Sequence, residues 1–368
     1  MATGKKENYA LRVLRLASMD KLNSVVDEVC EKSGQSHLGT LADMAHCLRK
    51  FGAGYYDYWI FEFFDLTEKE RDTYLTRFRS KKLHNLVNDE NLHHIFDNKD
   101  EFNTLFADYI GRTFVDVAKQ DRKALCDFFD SHEQVFCKMR DLGCGHGAEK
   151  LQTKDFKNAE AFCDYVAEKG FATVEEVIVN HPDLAKVYNG AVNTMRMVTL
   201  IDDGGTPHLI CAVEKFGVNG RIVDNFGVQG PIDLETGVFA FPGHPGDTTD
   251  HRLVTHHPNS GVKLQGLVIP FFQDAKEMVL NAAKVVPQMR YIGWDVATTP
   301  NGPVIIEGNN YTAHDFVQLP FQTPDHIGLM AAIRAYVKGM YGLPGDARPL
   351  CFLSQFNNSY KRGLTKTR

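Results

Sequence analysis

Asp295, Glu307 and Asn309 have the chemistry of a site for a hard cation. Asp295 lies in an apolar run, Tyr291–Thr298, and Glu307 and Asn309 lie at and just past the end of a second, Val304–Glu307. The segment between the two runs, Thr299-Pro-Asn-Gly302, carries the Asn-Gly pair that marks a tight hairpin. In extended backbone, residues two apart share a face, so Glu307 and Asn309 point the same way and Asp295 can reach them from the partner strand. Magnesium takes oxygen ligands, normally one or two carboxylates, with water and phosphate supplying the rest. The residues alone leave two readings open: a metal site, or a hairpin with an acidic wet face. Trp294, Val296, Ile305 and Ile306 imply partial burial, where a carboxylate is costly unless a cation or donors meet it.

Other side chains suit phosphate. Lys138 ends the apolar run Val135–Cys137 and precedes a loop holding Gly143, Gly145 and Gly147. Such a loop can bring backbone N–H groups to phosphate oxygens, and lysine adds a point charge. The spacing is not that of a P-loop, so the loop alone reads equally as a glycine-rich turn. Lys99 sits where helical texture gives way to alternating elements. Glu175 and Glu176 are adjacent within the β-rich run Thr173–Val179, so their side chains face opposite ways and only one can serve a given site.

The elements that must hold these residues divide by texture. Residues 8–95 show helical spacing (Leu11, Leu14, Ala17; Tyr74, Phe78) with few turn signals, which predicts a mostly helical lobe whose aromatic run Gly54–Phe64 is core. The cluster Arg77, Arg79, Lys81 and Lys82 reads as a solvated helix face. After Phe96, short helices (Glu101–Ile110, Arg122–His132) alternate with strands (Val135–Cys137, Thr173–Val179, Met197–Ile201, His208–Val213), a pattern of α/β or α+β architecture. Strands are expected to dominate from Asn193 to Pro270. A helix Asp274–Val286, capped by Asp274 and stopped before Pro287, precedes the hairpin, and a last helix covers Ile327–Tyr341. The division expected is 1–95, a helical lobe; 96–180, a central lid unit; 181–345, a C-terminal unit with the hairpin; and 346–368, a polar tail.

Composition sets the limits. The 368 residues exceed one compact core and suit two or three packed lobes. A net charge of −6 argues against a general nucleic-acid binder. No run approaches the roughly 20 apolar residues a membrane span needs, and Arg12 and Arg15 interrupt any leader-like N-terminus. The eight cysteines show no paired spacing and read as reduced thiols of a cytoplasmic protein. There is no GxSxG elbow and no Cys–His signature, so no protein nucleophile is indicated. The loop-rich stretch Phe239–His257 carries His244, His251, His256 and His257, read as solvent-facing residues before a second metal site.

Several motifs in order then point to a family. GWDVATTPNGPVIIEGNN (293–310) resembles the magnesium hairpin of ATP-grasp proteins, with an acid before the hairpin and Glu-x-Asn at its end. DNKDEF (97–102), VFCKMRDLGCGHG (135–147), HPDLAKVYNGAVNTMRMVT (181–199), VDNFGVQG (223–230) and HDFVQLP (314–320) are similar to the sugar-transfer-associated branch, related to alpha-L-glutamate ligases. The resemblance covers most of residues 20–342. It implies the ATP-grasp fold, two α/β lobes clasping ATP behind a helical lobe. It also implies ATP and Mg2+ (with Mn2+ as a substitute) as cofactors, and ligation of a carboxylate to an amine through an acyl phosphate. The small-molecule substrates would be sugar-linked or belong to the cell envelope. By the same resemblance Lys99 and Lys138 contact the nucleotide, the three glycines cover the triphosphate, and Glu176 or Asp183 holds adenine or ribose. Asp295, Glu307 and Asn309 hold the metal, and Arg196 and Asn225 face the reacting groups. The family often has an arginine shortly before the DNF element, where this chain has Glu214-Lys215. Lys215 keeps the charge but loses bidentate geometry. A phosphotransferase using His314 or Asp315, and a non-catalytic nucleotide binder, are the alternatives.

Overall fold

The computed structural model describes residues 19–119, 122–140, 147–224 and 226–340. Helices Met19–Ser33, His37–Phe51, Tyr55–Ile60 and Arg77–Val87 build the N-terminal lobe. Local signals set the second: Ser36 accepts the Gly39 N–H at its start, and Gly52 ends it in the left-handed region. The aromatic run is core, with Tyr58, Trp59, Phe61, Phe63 and Phe64 buried against Val26, Val29, Met44, Phe51 and Leu319. The basic cluster is not uniformly solvated. Arg79 is buried and donates to the Asp72 carboxylate at 2.5 Å and to the Asp72 and Tyr74 carbonyls, because it faces inward from its helix.

Among the described residues, ten strands form two sheets. The smaller contains β1 (Phe114–Asp116), β2 (Gln134–Lys138), β3 (Ala148–Gln152) and β4 (Thr173–Glu176), in the order β1-β4-β2-β3. Helices Arg122–Ser131 and Ala159–Lys169 cover one face through Leu125, Phe128, Phe129, Phe162 and Val166, which meet Val135 and Val174. The larger sheet contains β5 (Thr194–Ile201), β6 (Pro207–Phe216), β7 (Val228–Pro231), β8 (His244–Pro245), β9 (Tyr291–Thr299) and β10 (Gly302–Asn309), in the order β10-β9-β5-β6-β7-β8, with every pairing antiparallel.

Alternation along these strands decides where chemistry can sit. One face, with Met195, Met197, Trp294, Val296 and Ile305, packs on helix Phe272–Ala282 and on Phe96, Phe102 and Phe106. Residues 96–110 thus pack on the larger sheet. The opposite face is apolar at one end, where Val198, Leu200 and Tyr291 meet Leu75, Leu83 and Ile333, and polar at the other. Trp294 is fully buried, its indole N–H donating to Thr199 Oγ1 at 2.8 Å.

Three expectations are corrected. Between β7 and the helix at Phe272 the described chain is mostly irregular, its only ladder strand being the two-residue β8, because glycines and prolines break the apolar runs. That helix spans Phe272–Ala282. It starts from Phe271 at φ 55°, with Asp274 in its first turn and not at its cap, and it ends before Val286. The last helix is shorter, Met330–Tyr336, followed by the 3₁₀ turn Lys338–Met340.

Candidate nucleotide and metal site

The cross-strand register brings the polar residues together. Arg196 on β5 pairs with Asp295 on β9, and Asp295 pairs with Glu307 on β10. Ile305 pairs with Val296, so Ile306 is an extra residue, a β-bulge. Without it Glu307 would share the face of Ile305, in the apolar core; the bulge turns Glu307 and Asn309 to the polar face with Asp295.

Asp295 anchors the cluster. It accepts both arms of Arg196 (Nε to Oδ1, 2.7 Å; Nη2 to Oδ2, 3.0 Å) and Lys215 Nζ at 3.2 Å. Burial alone would raise its carboxyl, but Arg196 and then Lys215 outweigh burial and hold it well below the ordinary range. Lys215 also lies 3.9 Å from Asp224; these two carboxylates outweigh the burial that would lower its ammonium and keep it firmly charged. Arg196 reaches Thr312 Oγ1 at 3.3 Å, and its guanidinium lies 5.7 Å from the Phe316 ring. Asn309 donates to the Gly293 carbonyl at 3.3 Å and to Asp295 at 3.5 Å, leaving its Oδ1 as a spare acceptor. Burial, and next the Asp295 charge, raise Glu307. A cation between these carboxylates would relieve that repulsion. Two carboxylates and an amide oxygen, completed by phosphate oxygens, therefore fit a hard divalent ion. Among the described residues no group of three His, Cys, Asp or Glu side chains gathers to hold one unaided.

The smaller sheet supplies the opposite wall. Lys138, at the end of β2, bonds Glu175 of β4 at 2.7 Å, and Glu175 also accepts Arg112 at 2.7 Å and Asn103 at 3.0 Å. Burial opposes ionisation of Glu175, yet Arg112 and then Lys138 hold it charged. A cleft between the sheets is lined by Lys99, Lys138, Glu175 and Glu307 with Phe96, Phe102, Asn103 and Ile306. Lys99 also donates to the Arg140 carbonyl at 3.1 Å.

The structure thus brings Lys99, Lys138, Arg196, Lys215, Asp295, Glu307 and Asn309 together. It does not bring Glu176 or Asp183 to them. Glu176 is exposed and bonds Thr113, and Asp183 is exposed and bonds Lys186 at 2.6 Å. Gly147 is left-handed, and its carbonyl accepts Met139 N–H to close the β2–β3 hairpin. Gly143, Gly145 and Asn225 lie outside the described residues. Sequence reasoning passed over Glu175, whose signal was parity: Val174 faces the helices, so its neighbour faces the cleft. Arg112 carried no motif at all.

Three of the four histidines in the loop depart from expectation, while His256 is exposed as expected. His244 and His257 are buried, His257 bonding the Gly217 carbonyl at 2.8 Å, and His251 stacks on Trp59 at 4.6 Å. These rings face the helical lobe and the core because the loop folds inward. His314 Nε2 bonds the buried Asp57 at 2.9 Å.

Two sheets facing one another across a cleft lined with lysines and carboxylates are the arrangement that the resemblance to ATP-grasp proteins implies. Residues 155–329 match the model of the sugar-transfer associated ATP-grasp family. No curated protein matches the chain. Solved structures with some likeness include the D-alanine-D-alanine ligase from Coxiella burnetii (13% identity, TM-score 0.35, 61% of this chain and 49% of that one). Another is the ATP-grasp ligase PsnB complexed with a minimal precursor (14%, TM-score 0.40, 73% and 71%). A third is the D-cycloserine synthetase DcsG (13%, TM-score 0.37, 65% and 72%). The chain spans about half the length of the first of these. No described helix is long and apolar enough to cross a membrane.

Proposed function

We propose that the protein is an ATP-dependent carboxylate–amine ligase that forms an amide through an acyl phosphate. The observation that carries this reading is the Arg196–Asp295–Lys215 cluster on the same face as Glu307 and Asn309, opposite Lys138. In the proposed reaction a substrate carboxylate oxygen attacks the γ-phosphorus of ATP, the bond to the β-phosphate oxygen breaks, and ADP leaves. The amine then attacks the acyl carbon, phosphate departs, and the amine loses a proton. This chain's residues act by position and charge. Lys99 and Lys138 hold the nucleotide, and Arg196 and Lys215 orient the carboxylate and offset the charge on the transferred phosphoryl group. Asp295 fixes both cations so that little reorganisation accompanies the reaction. Asp295, Glu307 and Asn309 would hold Mg2+, which supplies charge stabilisation to the phosphate oxygens.

The acceptor contacts are proposed for Phe239–His257 and the helical lobe, which meet where Tyr56 bonds Thr248 and Trp59 bonds the Thr249 carbonyl. A sugar-linked or cell-envelope substrate belongs to this reading, the matched family's description, sugar-transfer associated, supporting the first, and the proposed setting is the cytoplasm, where ATP is available. A screen of amino acids, amines and carboxylates, scored by ADP release and mass spectrometry, tests the reading. An amide formed together with ADP and phosphate is expected; a phosphorylated product without amide would make the protein a kinase.

A further inference from the structure

We propose that Arg112 is a positioning residue that clamps the β10 bulge and thereby aims Glu307 into the nucleotide cleft. The inference rests on the nucleotide reading above. A bulge removes carbonyls from the ladder, and buried carbonyls need donors. Arg112 supplies them: Nη1 donates to the Ile305 carbonyl at 2.8 Å and Nη2 to the Ile306 carbonyl at 3.1 Å. Its Nε donates to Glu175 Oε2 at 2.7 Å, the same oxygen that accepts Lys138. One side chain, 2% exposed, thus joins the bulge of the larger sheet to the lysine-bearing wall of the smaller one.

Local structure makes the reach possible. The short helix Ala107–Ile110 ends at Gly111, φ 55°, where a Cβ would stand 2.3 Å from Val304 Cγ1 on β10. Only glycine brings the chain that close and turns Arg112 onto the strand. Arginine is required because its planar fork places donors in three directions at once. A lysine ammonium at the end of a flexible stem cannot meet Glu175 and both carbonyls together.

The test is ADP binding by calorimetry, with Mg2+ and with EDTA, alongside thermal melting, on the full chain. Wild type should bind ADP more tightly with Mg2+. Folded Arg112→Lys and Arg112→Gln should lose that enhancement tenfold or more. In Arg112→Lys, binding in EDTA should change less than threefold, because the charge beside Glu175 remains. Glu307→Gln sets the full loss for comparison. A wild-type Mg2+ enhancement in folded Arg112→Lys, with only the melting temperature moved, would overturn the proposal. So would failure of both arginine variants to fold, since Arg112 would then be a structural clamp alone. Absence of Mg2+-dependent ADP binding in wild type would instead refute the nucleotide reading and this inference with it.

Discussion

Glu214 stands one residue from Lys215 yet faces the other way. On β6 it alternates with Ala212 and Phe216 on the core face, opposite Met195 and Gly230, and neither carboxyl oxygen has a hydrogen-bond partner. Burial, reinforced by Asp224, pushes its carboxyl up to about 8 from an ordinary 4.5. The folded state therefore keeps a proton that the unfolded chain has lost, so stability is full below the unfolded value and falls as pH rises from about 4.5 to about 8. Glu214→Met should remove this dependence and gain on the order of a few kcal/mol near pH 8 and little near pH 5. Urea unfolding at both pH values checks it; an equal effect at the two would contradict a buried acid. The same alternation explains which site residues were legible. Asp295, Glu307 and Asn309 announced themselves by type within a hairpin. Glu175 and Glu176 could be told apart only by knowing which face the lid helices cover. Arg112 was invisible, because it answers to Glu175, 63 positions away, and to two main-chain carbonyls nearly 200 residues away.

At the scale of elements, the hairpin was read almost as it stands, since Asn-Gly chemistry and two apolar runs are local signals. The bulge at Ile306 was not, because it answers to a distant arginine and to the apolar core beneath Ile305. The helix at Phe272 shifted for a similar reason: its start is set by the left-handed Phe271 and by packing of Phe272 and Ala275 on the sheet, and these prevail over the capping propensity of Asp274. Gly293 shows how closely the elements fit. A Cβ there would lie 2.2 Å from Thr312 Oγ1 and 3.1 Å from Arg196 Cδ. Gly293→Ala should push Arg196 off Asp295 and destabilise by about 1–3 kcal/mol, the usual range for overpacking. Denaturant melts should show that loss, and ADP release should fall with it; a variant as stable and active as wild type would mean that Thr312 yields freely.

At the scale of the molecule, the helical lobe is tied to the chain that follows the hairpin. Asp57 accepts Gly54 N–H, Arg77 N–H and His314 Nε2, tying the aromatic core of the lobe to the chain that leaves the hairpin. Leu75 and Leu83 pack beneath the larger sheet, and Thr323 bonds Tyr74 at 2.8 Å. The helical texture and aromatic core of this lobe were legible from composition and spacing. Its docking was not, because those contacts join residues some 250 positions apart. The central claim is that the hairpin face with Arg196 and Lys215 is where ATP reacts. Its most direct measurement is ADP release with a substrate pool, comparing wild type with Asp295→Ala and Glu307→Ala, each shown to be folded by its melting profile. Turnover is expected in wild type and its loss in both variants; unchanged ADP release from both folded variants would mean that ATP reacts elsewhere.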